Sequence, residues 1–337
     1  MVEHRCIAEA ELRAFHPGST LAGEAQALLL QQQSVWELAR LGYKSLDSVR
    51  TKAFDFDGIT SRVQFNPGRL KSTSAKVDAR SIRSRPCFLC EAHLPPEQKG
   101  ILYRDEFLLL VNPYPICPEH FTIACVEHVP QQIGGRFRTL LDLARDLAPE
   151  FVVLYNGPQA GASAPDHMHF QAGTKAFLPV ADEYLTSRER FGRLLVDTGS
   201  LRVYSVDGYI PAFVALESSN LTALVEGFTV VHEGLRGVLG SRDEAMMNLV
   251  CWFEEGEWTL VVFPRSKHRP ARFFAADETR IMLSPAAVDL AGVPTIPVEA
   301  DFQRVDRENL EAMLEEVSLR KDLIREVTGS LVESMGR

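Results

Sequence analysis

Apolar positions along the first half of the chain follow two periods, one typical of helices and one typical of strands. Residues 24–46 repeat leucines and Trp36 at helical spacing, and residues 136–149 place apolar side chains at i, i+3, i+4 and i+7, so both segments predict helices. Short apolar runs predict strands at residues 107–112, 121–125 and 151–155. This order predicts an α+β fold, with an antiparallel sheet packed against helices.

The second half has a less regular pattern. It predicts helices at residues 183–195, 218–238 and 306–333, and strands near residues 201–205 and 211–216. A hairpin is predicted at 248–265, with its turn between Glu254 and Glu257. The hairpin and the residues after it loosely resemble 121–128, which fits a divergent tandem of two similar halves. We therefore predict an N-terminal catalytic half over residues 1–180 and a divergent C-terminal half over residues 181–337.

Composition excludes several classes of protein. The 337 residues are 45% hydrophobic and 24% charged, as in a globular protein with one large core or two ordinary ones. The net charge of −9 argues against a protein that binds nucleic acid by neutralising phosphates. No apolar run approaches the roughly 20 residues that span a bilayer, and the first residues do not read as a signal peptide. We expect a cytoplasmic protein without a membrane partner.

One basic segment stands out from the acidic background. Residues 62–85 contain a single acid, Asp78, and seven basic residues: Arg62, Arg69, Lys71, Lys76, Arg80, Arg83 and Arg85. A solvated, mobile loop is one interpretation. The other is a phosphate or nucleotide cradle formed by Arg69, the preceding Gly68 and the serines that follow, because glycine allows backbone N–H groups to approach an anion closely.

The stretch "NGPQAGASAPDHMHFQ" joins a loop of small residues to a polar strand. Side chains alternate between the two faces of a strand, so His167, His169 and Gln171 are predicted to share one face, opposite Met168 and Phe170. The preceding loop, which contains Gly161 and Ser163, would let a phosphate or sugar approach the backbone.

An imidazole at this position suits nucleophilic attack on phosphorus. It is largely neutral at pH 7, and a hydrogen bond from one ring nitrogen to a carbonyl leaves the other nitrogen free. Gln171 could donate an amide hydrogen bond to a phosphoryl oxygen without transferring a proton. A satisfied polar pair or a simple metal site would explain His-x-His alone.

Two cysteines, Cys87 and Cys90, have the C-x₂-C spacing with which two thiolates bind one tetrahedral Zn²⁺. His128 and His167 are candidates for the other two ligands, and zinc on His167 would hold His169 in place without touching the substrate. The alternatives are a reduced, metal-free cysteine pair or a site completed by other residues, namely His93, His120, Cys117 or Cys125.

The histidine stretch resembles the active-site strand of the transferase branch of the histidine-triad superfamily, which includes galactose-1-phosphate uridylyltransferase, diadenosine tetraphosphate phosphorylase and the GDP-hexose phosphorylases. That branch carries His-x-His-x-Gln, whereas the hydrolase branch has a third histidine in place of Gln171. "NPYPICPEHFTIACVEHVPQQI" and "NPGRLKSTSAKVD" are similar to preceding segments of the family, so the resemblance covers about residues 62–180. Met168 stands where the uridylyltransferases have proline, which favours the phosphorylases.

The resemblance implies a role for each matching residue. His169 would be the nucleophile that forms a nucleotidyl-histidine, and Gln171 would bind the phosphoryl oxygens of that intermediate. Asn156 and Ser163 would contact phosphate. The ligands of a structural zinc would be Cys87, Cys90, His128 and His167.

The predicted function is therefore a nucleotidyltransferase. The preferred form is a phosphorylase that uses a nucleoside diphospho-sugar or dinucleoside polyphosphate, with phosphate or a sugar phosphate as the acceptor. Arg265 and Lys267 are candidates to bind the second phosphate, and the family often forms homodimers. The competing interpretations are a histidine-triad hydrolase and a noncatalytic, zinc-stabilised nucleotide-binding protein.

Overall fold

The computed structural model describes residues 2–16, 18–75 and 77–335. Strands within these ranges are β1 (Arg50–Phe56), β2 (Ile59–Phe65), β3 (Gly100–Tyr103), β4 (Phe107–Val111), β5 (His120–Cys125), β6 (Phe151–Asn156), β7 (His169–Thr174), β8 (Gly192–Asp197), β9 (Arg202–Val206), β10 (Phe213–Ser218), β11 (Met247–Glu254), β12 (Glu257–Pro264) and β13 (Thr295–Ile296).

Helices connect these strands and cover the sheet. Within the same ranges they are α1 (Glu9–Arg13), α2 (Leu21–Val35), α3 (Glu37–Lys44), α4 (Leu70–Thr73), α5 (Ala79–Arg83), α6 (Phe137–Asp146), α7 (Pro179–Asp182), α8 (Tyr184–Phe191), α9 (Leu221–Leu239), α10 (Ala271–Phe274), α11 (Ala287–Leu290), α12 (Glu299–Arg304), α13 (Arg307–Val317) and α14 (Lys321–Met335). None of the described helices has both the length and the apolar composition needed to cross a bilayer.

The larger sheet has the strand order β3-β4-β5-β7-β6-β11-β12-β10-β9-β8, and all of its neighbours pair antiparallel. The order repeats in the two groups β3 to β7 and β8 to β12. In each group the fifth strand along the chain lies between the third and the fourth. The two groups join through β6 and β11, where Asn156 lies opposite Asn248. The α+β class with an antiparallel sheet is confirmed, and the repeated order fits the predicted tandem. The boundary after residue 180 stays a prediction.

Each face of this sheet carries its own core. On one face, buried side chains of α2, α6, α9 and α14 pack against the strands, and Met168 and Phe170 belong to this core. On the other face, the small sheet β1-β2-β13 and the helices α11 and α13 cover the strands. Because Phe170 points into the first core, His169 and Gln171 point to the second face, as the alternation predicts.

Three predicted helices differ from the observed ones. The helix predicted over 24–46 is broken at Trp36, whose extended backbone separates α2 from α3. The one predicted over 183–195 ends at Phe191, because the chain enters strand β8 at Gly192, where a Cβ would lie 2.3 Å from a backbone oxygen. The C-terminal helix divides into α13 and α14, since Leu319 N–H bonds to the carbonyl of Pro264 on β12.

The β1–β2 hairpin was not predicted. Its turn is formed by Asp57 and Gly58, which both have positive φ, at 55° and 88°. Asp-Gly in a two-residue turn is a strong hairpin signal because this backbone twist matches that of the strands. The sequence signal for β1 and β2 was the presence of both polar and apolar residues on each side of this turn.

Candidate active site and metal site

The residues expected to bind zinc form a cluster. The ligand atoms of Cys87, Cys90, His128 and His167 all lie within 4.8 Å of one another. Cys90 Sγ lies 3.1 Å from His128 Nδ1, and Cys87 Sγ lies 3.3 Å from His167 Nδ1. The pairing of β5 with β7 brings the two histidines together, because His128 follows β5 and His167 precedes β7. Two thiols and two imidazoles are a donor set that fits a tetrahedral metal site.

Hydrogen bonds and charge prepare this cluster for a cation. His167 Nε2 donates to the carbonyl oxygen of Cys125 at 2.7 Å, which leaves Nδ1 facing the sulfurs. Burial opposes ionisation of Cys87, but the hydrogen bond with His167 lowers the pKa of its thiol to about 6. Burial and the neighbouring Cys87 raise the pKa of Cys90 to about 11. One thiolate is therefore favoured at pH 7, and a bound metal would displace the proton of the second thiol.

His167 lies outside the strand that was expected to contain it, since β7 begins at His169. The chain runs from the metal cluster into the strand at this point, and His169 Nδ1 lies 2.8 Å from the carbonyl oxygen of His167. A carbonyl can only accept, so Nδ1 carries the proton and Nε2 has a free lone pair. Burial lowers the pKa of His169 to about 4, so the ring is neutral at pH 7.

Gln131 fixes the backbone of His169 and was missed in the sequence. Its Oε1 accepts the backbone N–H of His169 at 2.7 Å. Its Nε2 donates to the carbonyls of Asn156 and His169, at 2.9 and 3.0 Å. Gln131 is only 1% exposed, and nothing in a single sequence distinguishes it from the exposed Gln132 beside it.

A cavity of about 60 Å³ lies on the face of β7 that carries Gln171. Five predicted site residues line it: Arg69, Asn156, Gly161, Ser163 and Gln171. The C-terminal half contributes further wall residues, among them His268, Arg269, Ser284, Ala286 and Asp289. His169 is not part of the lining and is 4% exposed. Ligand sites usually measure about 300 Å³ or more, so this cavity is smaller than a typical ligand site.

Several polar groups of the lining have unused hydrogen-bonding capacity. Asn156 Oδ1 accepts from Asn248 Nδ2 and from the backbone N–H of Ala287, both at 2.8 Å. These two bonds orient the amide, and Asn156 Nδ2 has no partner among the described residues. The same holds for Ser163 Oγ and Gln171 Nε2 within the described ranges. All three groups could donate to a phosphate or sugar.

The backbone conformation and the packing at position 161 both require glycine. The φ of Gly161 is +98°, and a Cβ there would lie 2.8 Å from the Cβ of Ala286. Glycine is therefore required for the loop to pack against the second half of the chain. This contact also closes one side of the cavity.

The structure places Arg265, the predicted ligand of a second phosphate, inside the protein. Arg265 is fully buried, and its guanidinium group donates to the side chain of Asn248 and to the carbonyls of Val317, Pro285, Lys267 and His268. These bonds use the donors that a phosphate would need.

The structure also places Lys267 away from the cavity. Its ammonium pairs with Glu316 at 3.0 Å on the surface. The next two residues, His268 and Arg269, line the cavity instead, because the chain turns toward it after β12.

The basic segment is folded rather than an open loop. It contains α4 and α5, and Lys76 lies outside the described residues. Of its cations, Arg69 lines the cavity and donates to the carbonyl of Tyr114 at 2.7 Å. Arg85 instead pairs with Asp166 at 2.9 Å, next to the metal cluster. Arg269 binds the segment from the other side, with bonds to the carbonyls of Thr73 and Ala75.

Part of the chain matches a known family model. Residues 28–174 match a family model described as a domain of unknown function, DUF4922. No curated protein matches the sequence.

Among solved structures, the chain is similar to yeast Ap4A phosphorylase Apa2 in complex with Ap4A. The TM-score is 0.60 at 16% identity, over 87% of this chain and 97% of that chain. The complex of Apa2 with AMP gives 0.55 at 15% identity, over 85% and 96%. The chain therefore shares the fold of Apa2. A uridylyltransferase mutant also aligns, at 12% identity over 74% of this chain and 94% of that chain, with a TM-score of 0.39.

Proposed function

We propose that this protein is a nucleotidyltransferase that works through a covalent nucleotidyl-histidine on His169. The observation that carries the proposal is the bond from His169 Nδ1 to the carbonyl of His167, which leaves Nε2 as a neutral nucleophile. Gln171, two residues further on the same face of β7, supplies an amide for the phosphoryl oxygens. A noncatalytic nucleotide binder would have no need of this pair.

The reaction takes place in two displacements. In the first, His169 Nε2 attacks the α-phosphorus of the donor, an N–P bond forms, and the bond to the leaving group breaks. The leaving group is a sugar phosphate from a nucleotide sugar, or a nucleoside polyphosphate from a dinucleoside polyphosphate. In the second, an oxygen of the acceptor attacks the same phosphorus, and the N–P electron pair returns to Nε2. With inorganic phosphate as acceptor, the product is a nucleoside diphosphate. Gln171 in place of a third histidine favours transfer over hydrolysis, because it supplies no acid or base to activate water.

Zinc is the proposed occupant of the cluster formed by Cys87, Cys90, His128 and His167. Two thiolates and two imidazoles suit Zn²⁺, and a filled set of four protein ligands is typical of a structural site. The metal would fix His167, and through its carbonyl the ring of His169. None of the six cysteines forms a disulfide, which fits the reducing compartment that we expect.

The proposed donor is a dinucleoside polyphosphate or a nucleotide sugar. The similarity to Apa2, which was solved with Ap4A and with AMP, supports the first of these. Arg69, Arg269 and His268 in the cavity could accommodate a chain of phosphates. The proposed acceptor is inorganic phosphate or a sugar phosphate.

The direct test is intact-protein mass spectrometry with metal analysis. The purified protein is incubated with diadenosine tetraphosphate, GDP-glucose, ADP-glucose or UDP-glucose, each without an acceptor. We expect an added mass of one nucleoside monophosphate with one of these donors, and its loss when phosphate or a hexose phosphate is added.

Two other results would overturn the proposal. Rapid release of free nucleoside monophosphate, without an acceptor, would identify a hydrolase. Binding of a nucleotide with no adduct and no turnover would identify a noncatalytic binder.

A further inference from the structure

A buried histidine outside the histidine pair contacts Gln171. His120 is 1% exposed, and its Nε2 lies 2.9 Å from Gln171 Oε1. It lies on β5, the strand next to β7, where it is paired with Gly173. The metal cluster does not include it.

The proton of His120 can be assigned from its two contacts. The backbone N–H of Ile116 points at His120 Nδ1, at 3.3 Å, so Nδ1 accepts a hydrogen bond and carries no proton. The proton is therefore on Nε2, which donates to Gln171. Burial and the nearby charge of Arg69 lower the pKa of His120 to about 3, so the ring keeps this neutral form at pH 7.

This donor decides which end of the Gln171 amide faces the cavity. An amide group has one accepting end and one donating end, and either could point toward a ligand in the absence of other contacts. With Oε1 held by His120, Nε2 is left with no partner among the described residues, and Gln171 is one of the residues that line the cavity. The reversed amide would present its oxygen to a phosphoryl oxygen, and two acceptors repel each other.

A third residue holds the histidine in place. Tyr43 on α3 donates its hydroxyl proton to the carbonyl of His120 at 2.9 Å and accepts the backbone N–H of His120 at 3.2 Å. Tyr43 is itself buried. The chain from Tyr43 to His120 to Gln171 therefore starts in the core and ends at the cavity.

We propose that His120 is a positioning residue for nucleotidyl transfer, which sets the amide of Gln171 so that its Nε2 donates to the phosphoryl group on His169. The proposal rests on the proposed function. It assigns no contact between His120 and the substrate. It predicts that His120 matters only as long as Gln171 is present.

The test compares two isosteric variants. In His120→Asn the side-chain oxygen can still accept from Ile116 but the side chain is too short to reach Gln171, whereas in His120→Gln the terminal amide can donate to Gln171 from the position of Nε2. We expect His120→Asn to slow formation of the nucleotidyl adduct by about 10- to 100-fold, the usual effect of losing such a supporting contact. The apparent donor affinity should change much less. His120→Gln should restore most of the rate.

Each variant is also made in a Gln171→Ala background. If His120 acts through Gln171, His120→Asn causes no further loss there; an equal loss in both backgrounds would overturn the positioning role and indicate a general structural one. Full-rate adduct formation in His120→Asn would overturn it as well. If His120→Asn does not fold, His120→Gln decides alone, since a rate as low as that of Gln171→Ala contradicts the proposal.

The wild-type protein separates this test from that of the function. If it forms no adduct, the proposed function fails and the role of His120 fails with it. If the wild type forms an adduct and the His120 variants form it at the same rate, only the positioning role fails.

Discussion

The ring of His169 is hydrogen-bonded to the backbone of His167, because His169 Nδ1 lies 2.8 Å from the carbonyl oxygen of His167. The side chain of His167 meanwhile belongs to the cysteine and histidine cluster. His167 thus joins the cysteine and histidine cluster to the proposed nucleophile. Whatever fixes the side chain of His167 also fixes the direction of the free Nε2 of His169.

Replacement of His169 should remove the activity and keep the fold. We expect His169→Ala to form no nucleotidyl adduct and to lose turnover by about 10³-fold or more, because no other group can take the nucleotidyl moiety. Mass spectrometry and circular dichroism check the two parts. His4→Ala is the matched control, since His4 is exposed and pairs only with Glu91. Near-normal turnover in His169→Ala would rule out the covalent route.

Loss of one cysteine of the cluster should lower metal content and stability together. We expect Cys87→Ser to bind less zinc and to melt about 5 °C or more below the wild type, because metal binding to four fixed ligands stabilises only the folded state. Cys6→Ser is the control, since Cys6 lies outside the cluster. Metal analysis and calorimetry decide. Wild-type protein that contains no metal, with Cys87→Ser equally stable, would refute the zinc assignment.

Gln131 should matter for stability and for activity. Gln131→Met keeps the length of the side chain but leaves the His169 N–H and two carbonyls without their buried partners. We expect the free energy of unfolding in urea to fall by about 2 to 4 kcal/mol, and turnover to fall because His169 is no longer fixed. The neighbouring Gln132→Met, at an exposed position, should change neither. Equal stability of the two variants would contradict the role of Gln131.

Glu244 should make stability depend on pH. Its carboxylate accepts from Ile133 N–H and Tyr155 O–H, but burial dominates and raises the pKa of Glu244 to about 7 from a usual value of 4.5. A raised pKa in the folded state stabilises the protein fully below about pH 4.5, and this contribution is lost as the pH rises to about 7. Between about pH 5 and about pH 8 the wild type should therefore lose more unfolding free energy than Glu244→Gln.

The control for this pH effect is the exposed neighbour Asp243, replaced by asparagine. Asp243→Asn should keep the wild-type slope of unfolding free energy against pH. If Glu244→Gln also keeps that slope, the raised pKa of Glu244 is refuted.

The parts of the site that could be predicted from the sequence are residues whose type and spacing indicate their chemistry. The C-x₂-C spacing and the alternate histidines indicate chemistry in themselves, and the four expected metal ligands do meet. The hairpin of β11 and β12 was predicted within one residue at each end because both strands are mostly apolar and their turn is short. These signals are local in the chain.

The parts of the site that could not be predicted depend on contacts between distant segments of the chain. Gln131 and His120 act through hydrogen bonds to partners 38 and 51 residues away, and no local pattern marks them. Arg265 looked like a phosphate ligand because cations cluster around it, yet its donors are used inside the protein. Only the way the second half folds over β7 places Arg269 in the cavity and Lys267 outside it.

The junction of β6 with β11 has a consequence for the number of active centres. Every residue of β6 is buried, so a fragment that ended after residue 180 would expose a largely apolar edge strand with unpaired N–H and C=O groups. Such a fragment could cover that edge with a second copy of itself, and the pair would then carry two histidine centres. In the intact chain β11 occupies the edge, and its hairpin partner β12 contains no histidine. The covalent union of the halves thus leaves one proposed nucleophile, His169, for each continuous sheet.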